Sequence, residues 1–298
     1  MTHSPRTGLH LDSTMVEALA KTIQAIGHPE FFETVFDFLG TTCAVDAGGV
    51  MFYFRKQPPR RVLHRFDPAE RTVPAERYLD GPYVLDPSYQ SFLRGARSGV
   101  YWLRDVAPDD FFESEYHRVF YSQTGLSDSL DLMWRIDDDV ALVFFLERSR
   151  RRPEFQPADI VALQLVLPYV IAASSRHHDL TKRSNTPDVD TLMHRKVQST
   201  IDNFGSSLLT RREREVLFYM LSGYSSALTS ERLNTVEGTI KNHRKNIHRK
   251  LDIGSQAELF SLFIKCIPFA TPESAGESDP LQAYQSKAPK PGDGPLFP

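Results

Sequence analysis

Asn242, Lys245 and Arg249, with Lys241 on their flank, are long hydrogen-bond donors spaced to share one arc of a helix at about 100° per residue, while Ile240, Ile247 and Leu251 fall on the opposite arc. Donors of this kind on a face turned away from the core can read base edges in the major groove, where Lys and Arg meet guanine acceptors and Asn pairs bidentately with adenine. Thr239, near the start of the same segment, could bond a phosphate with the help of the helix dipole. Arg244, like Lys250 and Arg212, would supply phosphate contacts or solvated charge, which give affinity and salt dependence without sequence information. A run of Lys and Arg is also a common solvated surface, so the surrounding elements must decide.

A second set of residues points to different chemistry. Tyr83, Asp86, Tyr89, Trp102 and Tyr116 lie in an aromatic-rich stretch holding one carboxylate. Rings supply area and cation–π attraction, and the carboxylate orients a small molecule carrying a cationic or N–H group. The competing reading makes these rings ordinary core and Asp86 the cap of a helix begun by Pro87.

The elements around the basic segment are those of a helix-turn-helix unit. Thr210-Arg-Arg-Glu213 forms a capping box, Leu209, Val216, Leu217 and Met220 recur on one face, and Gly223 supplies a left-handed stop. A short helix over 227–233, a third capped by Thr235 and running to about Leu251, and a fourth over 255–266 complete four helices, the second and third joined by a tight turn.

Upstream, Met15–Ile26 and Phe31–Val45 have helical periodicity. Gly49–Phe54 and Arg61–Phe66 read as strands, and Asp128–Ile136 with Val140–Glu147 as a hairpin around Asp137–Asp139. Pro157–Ala173 returns to helical spacing despite Pro168. This order predicts an α+β sheet domain covered by helices, resembling the PAS and GAF sensors at the level of fold. The expected organisation is a ligand-sensing and dimerisation domain over 12–175, a linker over 176–205, a DNA-binding domain over 206–267 and a disordered tail over 268–298, whose Pro, Gly and Ser content is too high for a packed core.

The chain of 298 residues carries a formal net charge of −3. Between Ser206 and Ile267 there are ten Lys and Arg against six Asp and Glu, a local +4 that leaves −7 on the rest. A basic module on an acidic body directs nucleic acid to the module alone. No window has the apolar length of a membrane span and no signal-like segment begins the chain, so a cytoplasmic protein with no membrane partner is expected. The two cysteines, Cys43 and Cys266, lack a CxxC partner, and neither His177-His178 nor His243 with His248 is spaced to chelate a metal. No nucleophile elbow, HExxH or GxxxxGK[ST] is present, so neither an enzyme nor a cofactor is expected.

Leu209-Thr-Arg-Arg-Glu-Arg-Glu-Val-Leu217, Gly223-Tyr-Ser225, Leu233, Gly238-Thr-Ile-Lys-Asn-His243, Ile247, Lys250-Leu251 and Ala257-Glu-Leu259 resemble the LuxR-type helix-turn-helix signature. The resemblance implies a transcriptional regulator that binds double-stranded DNA as a homodimer on a two-fold operator, with Lys241, Asn242 and Lys245 at DNA-facing sites. Ser225-Ser-Ala-Leu-Thr-Ser230 departs from the family's second helix, with Thr229 at its core isoleucine position and Val236 in place of the usual hydroxyl. Regulators of this family differ in their N-terminal domains. Here the expectation is a small-molecule effector site, the alternatives being a ligand-free dimerisation or protein-interaction module, or an acyl-homoserine-lactone receptor, to which Asp86-Pro87 followed by Trp102 is similar.

Overall fold

Alternating side chains on five antiparallel strands sort the N-terminal half into two cores, one on each face of a single sheet. The computed structural model describes residues 12–65, 78–121, 125–181, 191–271 and 278–287. Its strands are β1 (Ala47–Phe54), β2 (Arg60–Arg65), β3 (Gly99–Trp102), β4 (Leu126–Arg135) and β5 (Val140–Ser149), in the order β2-β1-β5-β4-β3. Every pairing is antiparallel. The α+β expectation holds, with β1, β2, β4 and β5 within a few residues of their sequence-derived bounds, while β3 was not foreseen.

Because successive side chains point to opposite faces, Val50, Phe52, Leu130, Leu132, Leu142 and Phe144 enter one core. Met51, Tyr53, Met133, Ala141 and Val143 enter the other. The first core is covered by α1 (Ser13–Gln24), whose N-terminus is capped by the Asp12 carboxylate accepting from Met15 N–H at 2.8 Å, by α2 (Phe31–Thr42), and by α5 (Pro157–Thr181). Helix α5 is, by length and composition, long and apolar enough to cross a membrane, contrary to the expectation that no window would be. Leu163, Val166, Val170 and Ala173 are nevertheless buried against the sheet in the first core.

The second core is faced by α3 (Pro87–Leu93), the short α4 (Leu103–Val106) and the 78–86 and 108–121 segments, and it continues without a break into the C-terminal helices. These are α6 (Thr191–Asn203), α7 (Arg211–Leu221), α8 (Ser226–Arg232), α9 (Glu237–Leu251) and α10 (Gln256–Cys266). Gly81, at φ +143°, marks the close approach: a Cβ there would stand 2.6 Å from Ile267 Cδ1.

Two sequence expectations change. The segment read as a linker with some helix in it over 176–205 is largely helical among its described residues, since α5 runs to Thr181 and α6 buries Val197 and Thr200, after which Phe204 packs edge-on to Phe263 at 5.6 Å. Residues 182–190 lie outside the described residues. The segment read as a disordered tail over 268–298 holds a helix, α11 (Pro280–Lys287), which buries Leu281. Just before it, the buried Asp279 carboxylate accepts from Gly205 N–H at 2.9 Å, from Ser207 N–H at 3.0 Å and from Ser207 Oγ at 2.6 Å. Composition concealed this because one buried acid and one leucine anchor the segment; residues 272–277 and 288–298 lie outside the described residues.

Candidate nucleic-acid interface and effector site

Helix α7 begins with the predicted capping box: Glu213 N–H donates to Thr210 Oγ1 at 3.3 Å while Thr210 N–H donates to Glu213 Oε2 at 2.8 Å. Burial works against the Glu213 charge, but Lys250 Nζ at 2.7 Å and the Thr210 bonds hold its carboxyl below the usual glutamate range. Gly223 adopts φ +82° after the helix, as its left-handed stop requires.

Helix α8 forms despite its unusual sequence. Ser225 Oγ accepts from Leu228 N–H at 3.1 Å, capping it, and Thr229 is buried with its hydroxyl donating to the Ser225 carbonyl at 2.6 Å. A hydroxyl at a core position is tolerated because it has a partner. The cap expected from Thr235 is not made: Val236 is the N-cap of α9, with no side-chain cap bond, and Thr235 N–H donates back to Ser230 O at 2.9 Å.

Along α9, Ile240, Ile247 and Leu251 are buried, and Lys241, Asn242, Lys245 and Arg249 are exposed together on the outer arc. Thr239 is half-buried near the first turn. Lys241 pairs with Glu237 at 2.8 Å, and Arg249 donates to Asn246 Oδ1 at 3.0 Å. Arg244 differs from its expected role, because it turns inward. Its Nη1 donates to Tyr224 O at 3.3 Å and its Nη2 to Gln256 Oε1 at 3.4 Å, and burial lowers its pKa. Lys250 is committed to Glu213, and Arg212 to Leu233 O at 2.6 Å and Glu215 at 2.7 Å. All three cations therefore have structural partners within the helix-turn-helix unit.

Of the predicted effector residues, four converge. Asp86 caps α3 through Oδ1, accepting from Ser88 N–H at 2.8 Å and Tyr89 N–H at 3.3 Å, while Oδ2 accepts from Tyr116 Oη at 3.3 Å and Tyr121 Oη at 3.1 Å. Asp86 is thus the expected helix cap, and it also stands among the aromatic residues. Tyr83 and Tyr89 are fully buried and pack edge-on at 5.1 Å, and Tyr89 Oη donates to Phe54 O at 2.7 Å.

Trp102 does not join them. It follows Tyr101 on β3, so the strand pleat sends Tyr101 to the Asp86 side and Trp102 to the other core. There Trp102 Nε1 donates to Asp128 Oδ1 at 2.7 Å beneath the Arg104 guanidinium, 3.9 Å from the ring centroid. The Asp86–Trp102 pairing that resembled a homoserine-lactone receptor is not brought together.

Sequence reasoning missed Asp131, Ser88 and Tyr53. Asp131 is buried beside Asp86 and accepts from Ser88 Oγ. Burial and the Asp86 charge push its carboxyl up to about 7, against the Ser88 hydrogen bond. Burial likewise raises Asp86, and raises Tyr53, Tyr78, Tyr116 and Tyr121 with a further push from Asp86. The missed signal was strand phase: Ser129, Asp131 and Met133 alternate with Leu130 and Leu132, so a polar face should have been assigned to β4.

The two halves of the chain touch beside these sites. Asp109 accepts from Ser225 N–H at 3.0 Å and from Ser225 Oγ, and Asp110 N–H donates to Gly223 O at 3.1 Å. A Cβ on Gly223 would lie 2.9 Å from Phe111 Cα, so only glycine allows this approach.

Comparison with known proteins agrees with this architecture. Residues 207–263 match the family model described as bacterial regulatory proteins, luxR family. The HTH-type transcriptional regulator in the exeN 3′ region of Aeromonas salmonicida is 31% identical over 183 residues, covering 60% of this chain and 93% of that protein. The response regulator protein TodT of Pseudomonas putida is 37% identical over 78 residues, 26% of this chain and 30% of its own length. Among solved structures, the LBD domain of VqsR from Pseudomonas aeruginosa superposes with a TM-score of 0.50 at 24% identity, over 57% of this chain and 99% of that one, a likeness of fold. The chain belongs to the LuxR family of helix-turn-helix regulators of transcription, which bind DNA.

Proposed function

We propose that the chain acts as a cytoplasmic homodimer on a two-fold operator, through Lys241, Asn242, Lys245 and Arg249 with Thr239 at a phosphate, under the control of a small molecule held at Asp86. Residues 12–181 form the sensing and dimerisation half, and 191–287 the DNA-binding half. One observation carries the regulatory part: Tyr83, Tyr89 and Tyr116 belong to the same continuous core as Val216, Ile240 and Ile247. A molecule that rearranges the tyrosines therefore acts on the packing beneath the DNA-facing helix. The effector class follows from two buried carboxylates in an aromatic shell, which favour a ligand presenting an N–H or cationic group. Exposed Val161 and Leu165, four apart on α5, support a second copy packing there.

The test is thermal unfolding of the full chain against amine- and amide-bearing metabolites, followed by operator binding with and without each hit. A ligand that binds the native state raises the melting temperature, and Asp86→Asn should remove that shift. A second reading, a ligand-free dimerisation module, is favoured by the four hydrogen bonds that already satisfy Asp86. It is chosen if no compound shifts the melting temperature.

A further inference from the structure

A cleft of about 570 Å³ lies on the opposite face of the sheet from Asp86, between the strands and the last turns of α5. Its size falls within the range of small-molecule sites, roughly 300–1,000 Å³. Its sheet-side wall is a cross-strand row: Arg60 on β2 is paired with Phe52 on β1, Phe52 with Leu142 on β5, and Leu142 with Trp134 on β4. With strands about 4.8 Å apart, that row extends some 14 Å. The α5 wall is Ser174, His177 and His178.

Three features of the lining await a partner or define one. The Arg60 guanidinium lies over the rings of Phe52 at 5.1 Å and Phe54 at 5.9 Å, with no carboxylate beside it among the described residues. Ser174 Oγ is buried with no hydrogen-bond partner among the described residues. His177 Nδ1 accepts from Gly27 N–H at 3.1 Å, which leaves Nε2–H as the donor of the neutral ring. No Asp or Glu is among the lining residues, so the cleft is cationic as well as aromatic. A guanidinium half-withdrawn from water on an aromatic bed, ending a flat apolar row, suits a planar apolar body with a carboxylate at one end.

We propose that this cleft is a binding site for a small aromatic organic acid, with its carboxylate on Arg60 and its ring laid along Phe52, Leu142 and Trp134. The site is separate from the Asp86 cluster and complementary to it in charge: one face of the sheet takes a donor, the other an anion. The occupant would bear on the last turns of α5, whose Leu180 side chain also lies 3.4 Å from where a Cβ on Gly27 would stand.

The probe is 1-naphthoate, with its neutral amide 1-naphthamide as control, titrated calorimetrically into the full chain. Saturable binding of the acid is expected, at least about tenfold tighter than the amide. Arg60→Gln should cost the acid about tenfold and leave the amide unchanged. Val62→Trp, on the exposed rim of the edge strand, should weaken both by filling the cleft. Because the chain has two tryptophans, the indole N–H resonances locate the ligand: that of Trp134 should move and that of Trp102 should stay. Absence of saturable binding, equal affinity for acid and amide, native affinity in both folded variants, or movement of Trp102 alone would each overturn the proposal.

Discussion

Asp109, in the N-terminal half, holds Ser225, the residue that caps the first helix of the helix-turn-helix. Burial opposes the Asp109 charge, but the Ser225 side chain and backbone hold the carboxyl below the usual aspartate range, so it is ionised at neutral pH. In helix-turn-helix complexes this first helix crosses the DNA backbone. A carboxylate on its N-terminus occupies a place where a phosphate would otherwise approach, and like charge repels. Asp109→Ala should therefore raise DNA affinity at low salt by roughly fivefold or more, measured by fluorescence anisotropy. Unchanged affinity would mean that the contact and DNA coexist.

Lys245 and Arg244 are neighbours in sequence with different environments, and their variants should separate. Lys245→Ala should cost operator binding about 1–3 kcal/mol more than non-specific binding, with no change in urea stability. Arg244→Ala removes the bonds to Tyr224 and Gln256, so its first effect should be a lower urea midpoint. Equal losses on operator and random DNA would reduce Lys245 to a phosphate contact.

The buried Asp131 makes stability fall with pH. Its folded-state pKa, about 7, lies above the unfolded value near 4, so the unfolded chain binds fewer protons between them. The protonated form supports the fold fully below pH ~4, and that support is lost as pH rises towards 7. Glu213 and Asp109, with lowered values, act in the opposite sense and at lower pH. Asp131→Asn should leave the melting temperature near the parent's at pH 4 and raise it at pH 8, a stability gain of a few kcal/mol at most. Parallel curves for the two proteins would show that Asp131 is ionised throughout.

Trp102→Ala should destabilise the β3–β4 edge by about 1–3 kcal/mol through lost ring packing and the lost hydrogen bond to Asp128, while leaving any response to a ligand at Asp86 intact. Loss of that response without loss of stability would restore Trp102 to the effector site.

Helix phase made the DNA-facing arc readable, since Ile240, Ile247 and Leu251 fixed which side of α9 is inside and left Lys241, Asn242, Lys245 and Arg249 outside. The same wheel could not show that Arg244 reaches back to Tyr224, because that contact joins elements twenty residues apart. Asp86 was legible through its Asp-Pro start. Trp102 was misassigned because nearness in sequence outweighed the two-residue period of a strand. Asp131 hid in a hairpin whose hydrophobic content marked it as a strand but not which face was polar. The tail looked disordered because composition averages over many residues, whereas burial of Asp279 and Leu281 is decided by two.

Asp279 ties the far end of the chain to Gly205 and Ser207, where the DNA-binding half begins. During synthesis, domains fold from the N-terminus as the chain emerges. The sheet strands can pair once Ser149 has emerged, whereas the bonds from Gly205 and Ser207 to Asp279 form only after the helices over 211–266 have emerged. The Asp279 contact is therefore a late tie, laid on strands and helices that are already available to pack.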